Sequence, residues 1–493
     1  MKHANIEIHV LKFVSGRLVI QAIGLVTIPI LTRLYLPEHF GALQIIDAFL
    51  YILFEIVCGK FEMAIPLAKD DQEKADTIAL SVLVSLFVTA ALTAGVLFAA
   101  PAVAEWYGMP ALRHYLWCLP ALTLLGGVKN ALSYWAARDE RFTAMAASDV
   151  AYSLGERFGS LAWGFAVAPS SLGLFVARFI GVFLRIAALI HASRAEMRRL
   201  FRGVAISPAS LRATAIRHKK FPLLQIWAVL LNTISSQLPS LLLGKYFSVR
   251  VVGYYGMSER MLGIPISLLR DAIATVTFST MAKEYQRTGS LTDITKNIFL
   301  RMTQISFFPL LIFTVFGKEL LQAVLGAEWT EAGVYCRILS VWQAFGFLNM
   351  PLKVSLIMNR QEVGVFMNIL TLAVRIVGIL CGVALNSPRV SLIAFVAFSV
   401  VTLIINCFWQ LRLARVSLRW ASRLMGEYIG LSLLLLAPTR WLIGEQTNIA
   451  ALFGVLSLLS LGYLGVVAWL DASFAQYAQA IFSRIRGKAS CKS

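Results

Sequence analysis

The chain has 493 residues, of which 58% are hydrophobic and only 14% charged, and its mean hydropathy is +0.73. That composition leaves no room for a soluble domain of any size, so function has to lie inside a bundle of helices or on its faces. The formal net charge of +19 would suggest nucleic acid in a soluble protein, but here it matches the Lys and Arg that collect in cytoplasmic loops, and no RNA-binding motif or zinc finger accompanies it.

A membrane-spanning helix needs roughly 20 mostly apolar residues. Fourteen such stretches fall at about 10–32, 40–68, 77–100, 112–136, 148–168, 171–192, 221–246, 251–281, 297–316, 331–358, 361–385, 389–411, 426–443 and 448–470. The predicted fold class is therefore all-α and polytopic. The first stretch is too long for a signal peptide and lacks a small-residue cleavage site, so it reads as span one. Tight hairpins join spans five and six at Ala168–Ser171, and spans ten and eleven at Asn359–Glu362.

Orientation follows from the cations. The connection after span six holds Arg194, Arg198, Arg199, Arg202, Arg212, Arg217, Lys219 and Lys220. Arg138 and Arg141 follow span four, Lys283 and Arg287 follow span eight, and Arg412, Arg415, Arg419 and Arg423 follow span twelve. Alternating spans put all of these, and the basic tail, on one side. The positive-inside rule then places both termini in the cytoplasm. Trp106, Tyr107 and Trp329 are expected in an outer interfacial belt.

The chain also repeats itself weakly. Arg33, Gly41 and Asp47 match Lys245, Gly253 and Glu259 at one offset, and Ser133, Arg138 and Glu140 match Ser355, Arg360 and Glu362 at a slightly larger one. Order and topology are kept, so the expected organisation is two pseudo-symmetric six-helix lobes. These are residues 1–192 and 221–411, joined by a basic cytoplasmic linker at 193–220. Two extra spans and a basic tail follow at 412–493. Transporters use parallel repeats of this kind around a central site.

A charge at the centre of a membrane helix costs roughly 2.5–3.5 kcal/mol even on insertion scales, so it marks a wet cavity or a partner. Span two carries Asp47, Glu55, Lys60 and Glu62. If it is one continuous helix, the three carboxylates share roughly an 80° arc. Span eight carries Glu259, Arg260, Arg270 and Asp271, which face a cavity or pair with one another. Arg157, Arg178, Lys353 and Arg375 lie in other spans, with Arg17 early in span one. Arg17, Lys60, Arg185 and Arg301 stand near enough to a membrane face for their heads to reach water. The expected substrate-binding cations are Arg17, Arg157, Arg178, Arg260, Arg270, Lys353 and Arg375. The expected coupling or gating carboxylates are Asp47, Glu55, Glu62, Glu259 and Asp271. A surplus of Arg and Lys predicts an anionic substrate such as a lipid phosphate or diphosphate.

Other chemistry has little support. The six cysteines form no CxxC, and the six histidines scatter near span ends. There is no Walker A sequence, HExxH or GxSxG. No catalytic residue, metal or cofactor is expected, and the chain is not expected to be an enzyme. Gly155-x-x-x-Gly159 and Gly378-x-x-x-Gly382 fit close helix packing.

One segment resembles a known family. Thr32-Arg33-Leu34-Tyr35, Pro37-Glu38-His39-Phe40-Gly41 and Asp70-Asp71-Gln72-Glu73 are similar to the N-terminal signature of bacterial polysaccharide exporters. These are the Wzx-type flippases of the MOP superfamily, relatives of MATE exporters and lipid II flippases. The resemblance implies a bundle in which spans one, two, seven and eight line a central cavity. It also implies translocation of undecaprenyl-diphosphate-linked oligosaccharide across the bacterial inner membrane by alternating access, drawing on an H⁺ or Na⁺ gradient. The expected partners are that lipid-linked substrate, membrane lipids, and a polysaccharide polymerase with its chain-length machinery. The rival readings are a MATE-like exporter of small organic cations and a lipid II flippase.

Overall fold

The structure, a computed structural model, describes residues 20–358, 360–443 and 449–471. These residues are mostly helical with no strand among them; a helix overlaps each of the fourteen expected spans, and among the described residues 8 helices are long and apolar enough to cross a membrane. In chain order the helices begin with α1 (Ile20–Leu34), α2 (Pro37–Ile56) and α3 (Asp71–Trp106). Short α4 (Leu112–Tyr115) precedes α5 (Cys118–Arg138), α6 (Phe142–Ala166) and α7 (Ser171–Ala192). Two linker helices follow, α8 (Arg194–Arg202) and α9 (Pro208–Arg217), then α10 (Ile226–Tyr246), α11 (Val249–Thr288) and α12 (Thr292–Leu325). The chain continues through α13 (Thr330–Asn349), short α14 (Val354–Ile357), α15 (Gln361–Ala384), α16 (Pro388–Leu413), α17 (Leu418–Ile443) and α18 (Ile449–Leu470). The chain is an all-α, polytopic membrane protein. Its outward rings fit lipid rather than water: Phe87 and Phe98 on α3 are 75% and 81% exposed.

Three spans read as continuous are broken, span four at Leu116-Trp117 between α4 and α5. α2 stops at Ile56, where Gly59 and Lys60 both turn left-handed at φ 60° and 61°, and a separate 3₁₀ helix runs from Phe61 to Leu67. Glycine takes that conformation freely, whereas lysine is strained in it by about 1–3 kcal/mol. Glu62 therefore leaves the helix that carries Asp47 and Glu55. In span ten, α13 ends at Asn349, just before Met350-Pro351. Proline disfavours helical geometry in the residue before it and lacks an N–H. The aromatic belt is also only partly realised. Trp106 is exposed, but Tyr107 is buried, and Trp329 is fully buried with its Nε1 donating to Thr32 O at 2.9 Å.

The described residues group into two units. One falls within Met1–Met257, Val324–Trp329 and Asn368–Ser391, and the other within Ser258–Ala323, Thr330–Met367 and Leu392–Ser493. The first has a core in which Ile65 of the 3₁₀ helix, Ala75 and Ile78 of α3, Leu132 and Trp135 of α5, Leu189 of α7 and Leu200 of α8 pack together. In the second, Arg301 does not reach for water. It donates to Asp471 at 2.8 Å and to Gln304 at 2.9 Å, tying α12 to the end of α18.

Within the first unit the repeat-matched glycines meet. A Cβ on Gly41 would lie 1.9 Å from Val249 O, and one on Gly253 would lie 2.0 Å from Pro37 O. The N-terminal turns of α2 and α11 touch backbone to backbone there. Gly41→Val or Gly253→Val is expected to cost at least about 1–3 kcal/mol by overpacking, read as a lower apparent melting temperature and less folded protein in detergent.

Candidate functional site

The site begins with three glycines. A Cβ on Gly155 of α6 would lie 2.7 Å from Leu184 and 3.2 Å from Gly181 Cα, and one on Gly159 would lie 3.2 Å from Ala177 Cβ. The absence of side chains at Gly155, Gly159 and Gly181 lets α6 and α7 run in close contact, as small-residue motifs do in membranes. Long polar side chains flanking that seam then reach across it.

Two charged rungs span the seam. Arg178 of α7 places Nε 2.8 Å from Glu156 Oε1 of α6, in ion-pair contact although not aligned as a hydrogen bond. Seven residues on along α7 and seven back along the antiparallel α6, Arg185 pairs with Asp149. Seven residues are two helical turns, so both pairs lie on one face. The first rung has a third member, because Arg178 Nη2 donates to Asp47 Oδ2 of α2 at 2.7 Å. The Asp47 side chain is 5% exposed and that of Arg178 16%, so both charges are largely withdrawn from solvent. One guanidinium thus answers two carboxylates from two different helices, which its planar fork of donors suits.

A cavity of about 260 Å³ opens beside the clamp. Asp47, Tyr51 and Phe54 line it from α2, Lys129 from α5, Tyr152 from α6, and Arg178 and Arg185 from α7. The Phe54 ring sits against Gly126, where a Cβ would lie 2.2 Å from its edge. Lys129 Nζ lies 5.7 Å from the centre of the same ring. Lys129 is half-buried and forms no ion pair among the described residues. Lys129, Arg178 and Arg185 are thus set against Asp47, Glu156 and Asp149. Of these acids only Asp47 lines the cavity, so the lining itself holds three cations to one carboxylate, while Glu156 and Asp149 answer the two arginines from outside it. Buried charges in an apolar bundle carry their counter-charges with them.

The remaining expected residues are dispersed. Lys60 is buried and paired with Glu55 rather than reaching water, and Thr233 Oγ1 donates to Glu55 Oε1 at 3.3 Å. Glu62 is 2% exposed, and its Oε2 has no hydrogen-bond partner among the described residues. Arg157 donates to Thr27 at 3.0 Å and Ser153 at 3.2 Å, and Arg375 donates to the carbonyl and hydroxyl of Ser235 at 3.1 and 3.0 Å. None of these lines the cavity. Lys353 is exposed in the break between α13 and α14, and Glu259 and Arg260 are half-buried on α11. Arg17 lies outside the described residues, as do the side chains of Arg270 and Asp271. Among the described residues no three His, Cys, Asp or Glu side chains cluster as metal ligands would. Sequence reasoning passed over Lys129, Asp149 and Glu156. The signal was there: a lysine inside span four, and two acids spaced seven apart, as are Arg178 and Arg185 in the next span.

A family model for polysaccharide biosynthesis proteins matches residues 30–334, which is more than half of the chain and includes every residue of this cavity. The chain belongs to that family. No curated protein matches it at significant similarity. Among solved structures, this polysaccharide biosynthesis protein is similar to the lipid II flippase MurJ in an inward closed conformation. The TM-score is 0.69 at 10% identity, covering 92% of this chain and 98% of that one. It is also similar to an inward-facing multidrug resistance MATE family transporter of the MOP superfamily, with TM-score 0.59, 14% identity, and 81% and 95% coverage. A third, a MOP superfamily transporter from Pyrococcus furiosus described as having a binding pocket of reverse polarity, gives TM-score 0.53, 14% identity, and 82% and 94% coverage. At such identities the likeness is one of fold.

Arg178→Ala leaves Asp47 and Glu156 without their shared cation inside the bundle. The expected loss is about 3–5 kcal/mol, the usual effect of breaking a buried ion pair, read from thermal unfolding in detergent. Arg178→Lys keeps a charge but lacks the fork that serves two carboxylates, and is expected to fall between.

Proposed function

We propose that this protein is a flippase that moves an undecaprenyl-diphosphate-linked oligosaccharide across the bacterial inner membrane during surface polysaccharide assembly. The product would be O-antigen, capsule or exopolysaccharide. The observation that carries the reading is Lys129, a cation without a carboxylate of its own, beside the Asp47–Arg178–Glu156 clamp in a member of the polysaccharide biosynthesis family. The lobes in this reading are residues 1–192 and 221–411, with the linker at 193–220, the last two spans in 412–493, and both termini cytoplasmic.

The proposed cycle starts as the sugar-diphosphate headgroup enters from the cytoplasmic side while the lipid tail stays in the bilayer. The diphosphate meets Lys129 first, because that ammonium gives up no ion pair to receive it. It then competes with Asp47 and Glu156 for Arg178, and the bidentate geometry of guanidinium with phosphate favours the exchange. A carboxylate that loses its cation in a low-dielectric bundle takes up a proton or Na⁺, which couples the step to a gradient. Arg260 and Arg270 keep their proposed role as further diphosphate ligands, and Glu259 and Asp271 theirs as gating acids. Alternating access then releases the headgroup on the other side. A polymerase and its chain-length machinery are the proposed acceptors.

One observation favours a second reading. Tyr51, Phe54 and Tyr152 stand with Asp47 around the same cavity, and rings beside a carboxylate suit an organic cation. Transport in proteoliposomes separates the two. Undecaprenyl-diphosphate oligosaccharide is expected to cross with wild type and to slow about ten- to a hundredfold with Lys129→Ala, the share of one charge-assisted hydrogen bond. Any gradient dependence is expected to disappear with Asp47→Asn. If lipid-linked sugar never crosses while organic cations do, the exporter reading holds instead, and preference for lipid II would move the substrate within the flippase class.

A further inference from the structure

The acidic stretch that opens α3 plays no part in the cavity. Its side chains seat the linker instead. Gln72 Nε2 donates to Ala205 O at 3.0 Å, and Ser210 Oγ of α9 donates to Asp76 Oδ1 at 2.9 Å. Arg217 Nη1 donates to Glu73 Oε1 at 2.9 Å, and His218 Nε2 lies 3.1 Å from the same oxygen. α8 is held in parallel. Leu200 is buried in the core with Ile78, Trp135 and Leu189, Met197 and Val204 pack against that core, and Glu196 pairs with Arg141.

That seating fixes which side of α8 is free. Arg194, Arg198, Arg199 and Arg202 are all exposed, and Phe201 among them is 38% exposed. Glu196, the one acid in the nine residues of α8, is already engaged by Arg141. The outward face therefore carries four arginines and an aromatic ring, with Ile206 exposed just beyond. Only Ser193 separates α8 from the end of α7, so α8 starts where α7 leaves the bilayer. A short helix with an apolar anchor, an arginine array and that placement has the chemistry of an interfacial helix.

We infer that the outward face of α8 binds the anionic phospholipid headgroups of the leaflet in which α7 ends. The four arginines meet the headgroup phosphates, and Phe201 enters between the headgroups. Charge complementarity commits the surface to this occupant, because an exposed array of cations with a ring among them matches an anionic leaflet in both its charged and its apolar layers.

The test uses full-length protein in nanodiscs of phosphatidylcholine, with or without phosphatidylglycerol, and follows amide hydrogen exchange over residues 194–204. Exchange is expected to slow by about fivefold or more when phosphatidylglycerol is present, the effect of a single cation's attraction to an anionic leaflet. The difference is expected to fade at about 0.5 M NaCl, where screening is short-ranged. The variant Arg194→Gln, Arg198→Gln, Arg199→Gln, Arg202→Gln is expected to exchange equally in both discs. Should that variant fail to fold, the wild-type salt series decides alone. Equal exchange of wild type in both discs overturns the inference, and so does equal slowing in phosphatidylcholine discs supplied with inorganic phosphate.

Discussion

A guanidinium shared by two carboxylates inside an apolar bundle is the constraint on which the first unit turns. Arg178 pairs with Asp47 and Glu156 and joins α2, α6 and α7 at one point. The cost of withdrawing any one of these charges from water is several kcal/mol, so each depends on the others. The arrangement also requires that α6 and α7 be close, which Gly155, Gly159 and Gly181 allow. The second rung, Arg185 with Asp149, repeats the solution two turns away and fixes the register of the hairpin.

The cavity inherits its character from that clamp. Charges that hold helices together are already matched, so the two arginines that line the space face it with carboxylates already in place. Lys129 is the exception, resting beside the Phe54 ring with no carboxylate in ion-pair range among the described residues. In the proposed cycle an incoming anion has two kinds of contact to make. One is additive, with Lys129, and the other is competitive, at Arg178. Competition is what would couple binding to rearrangement, because a ligand shifts a conformational equilibrium only through contacts that differ between states.

Length and hydropathy were enough to place every long helix, since twenty apolar residues in a bilayer have few alternatives to a helix. The same rule made Asp47 and Arg178 stand out as intramembrane charges. What hydropathy did not show was where a span breaks. Gly59-Lys60 and Met350-Pro351 are local backbone events within apolar runs, and they took Glu62 off the face of Asp47 and left Lys353 exposed. Nor does a count of cations reveal their partners. Asp149 and Glu156 lie on the neighbouring helix, and only the matching seven-residue intervals hinted at the rungs. Lys60 shows the same point in reverse: its position near a span end suggested water, but Glu55 five residues earlier holds it inside.

The most direct test of the clamp is the affinity for undecaprenyl diphosphate, measured for wild type and Asp47→Asn in nanodiscs. Removing the Asp47 charge frees part of Arg178 without touching Lys129. The expected result is tighter binding by Asp47→Asn, by about five- to tenfold for one competing carboxylate lost. Weaker or unchanged binding would contradict competition between substrate and Asp47 for Arg178, and would leave the clamp as a fastener of helices alone.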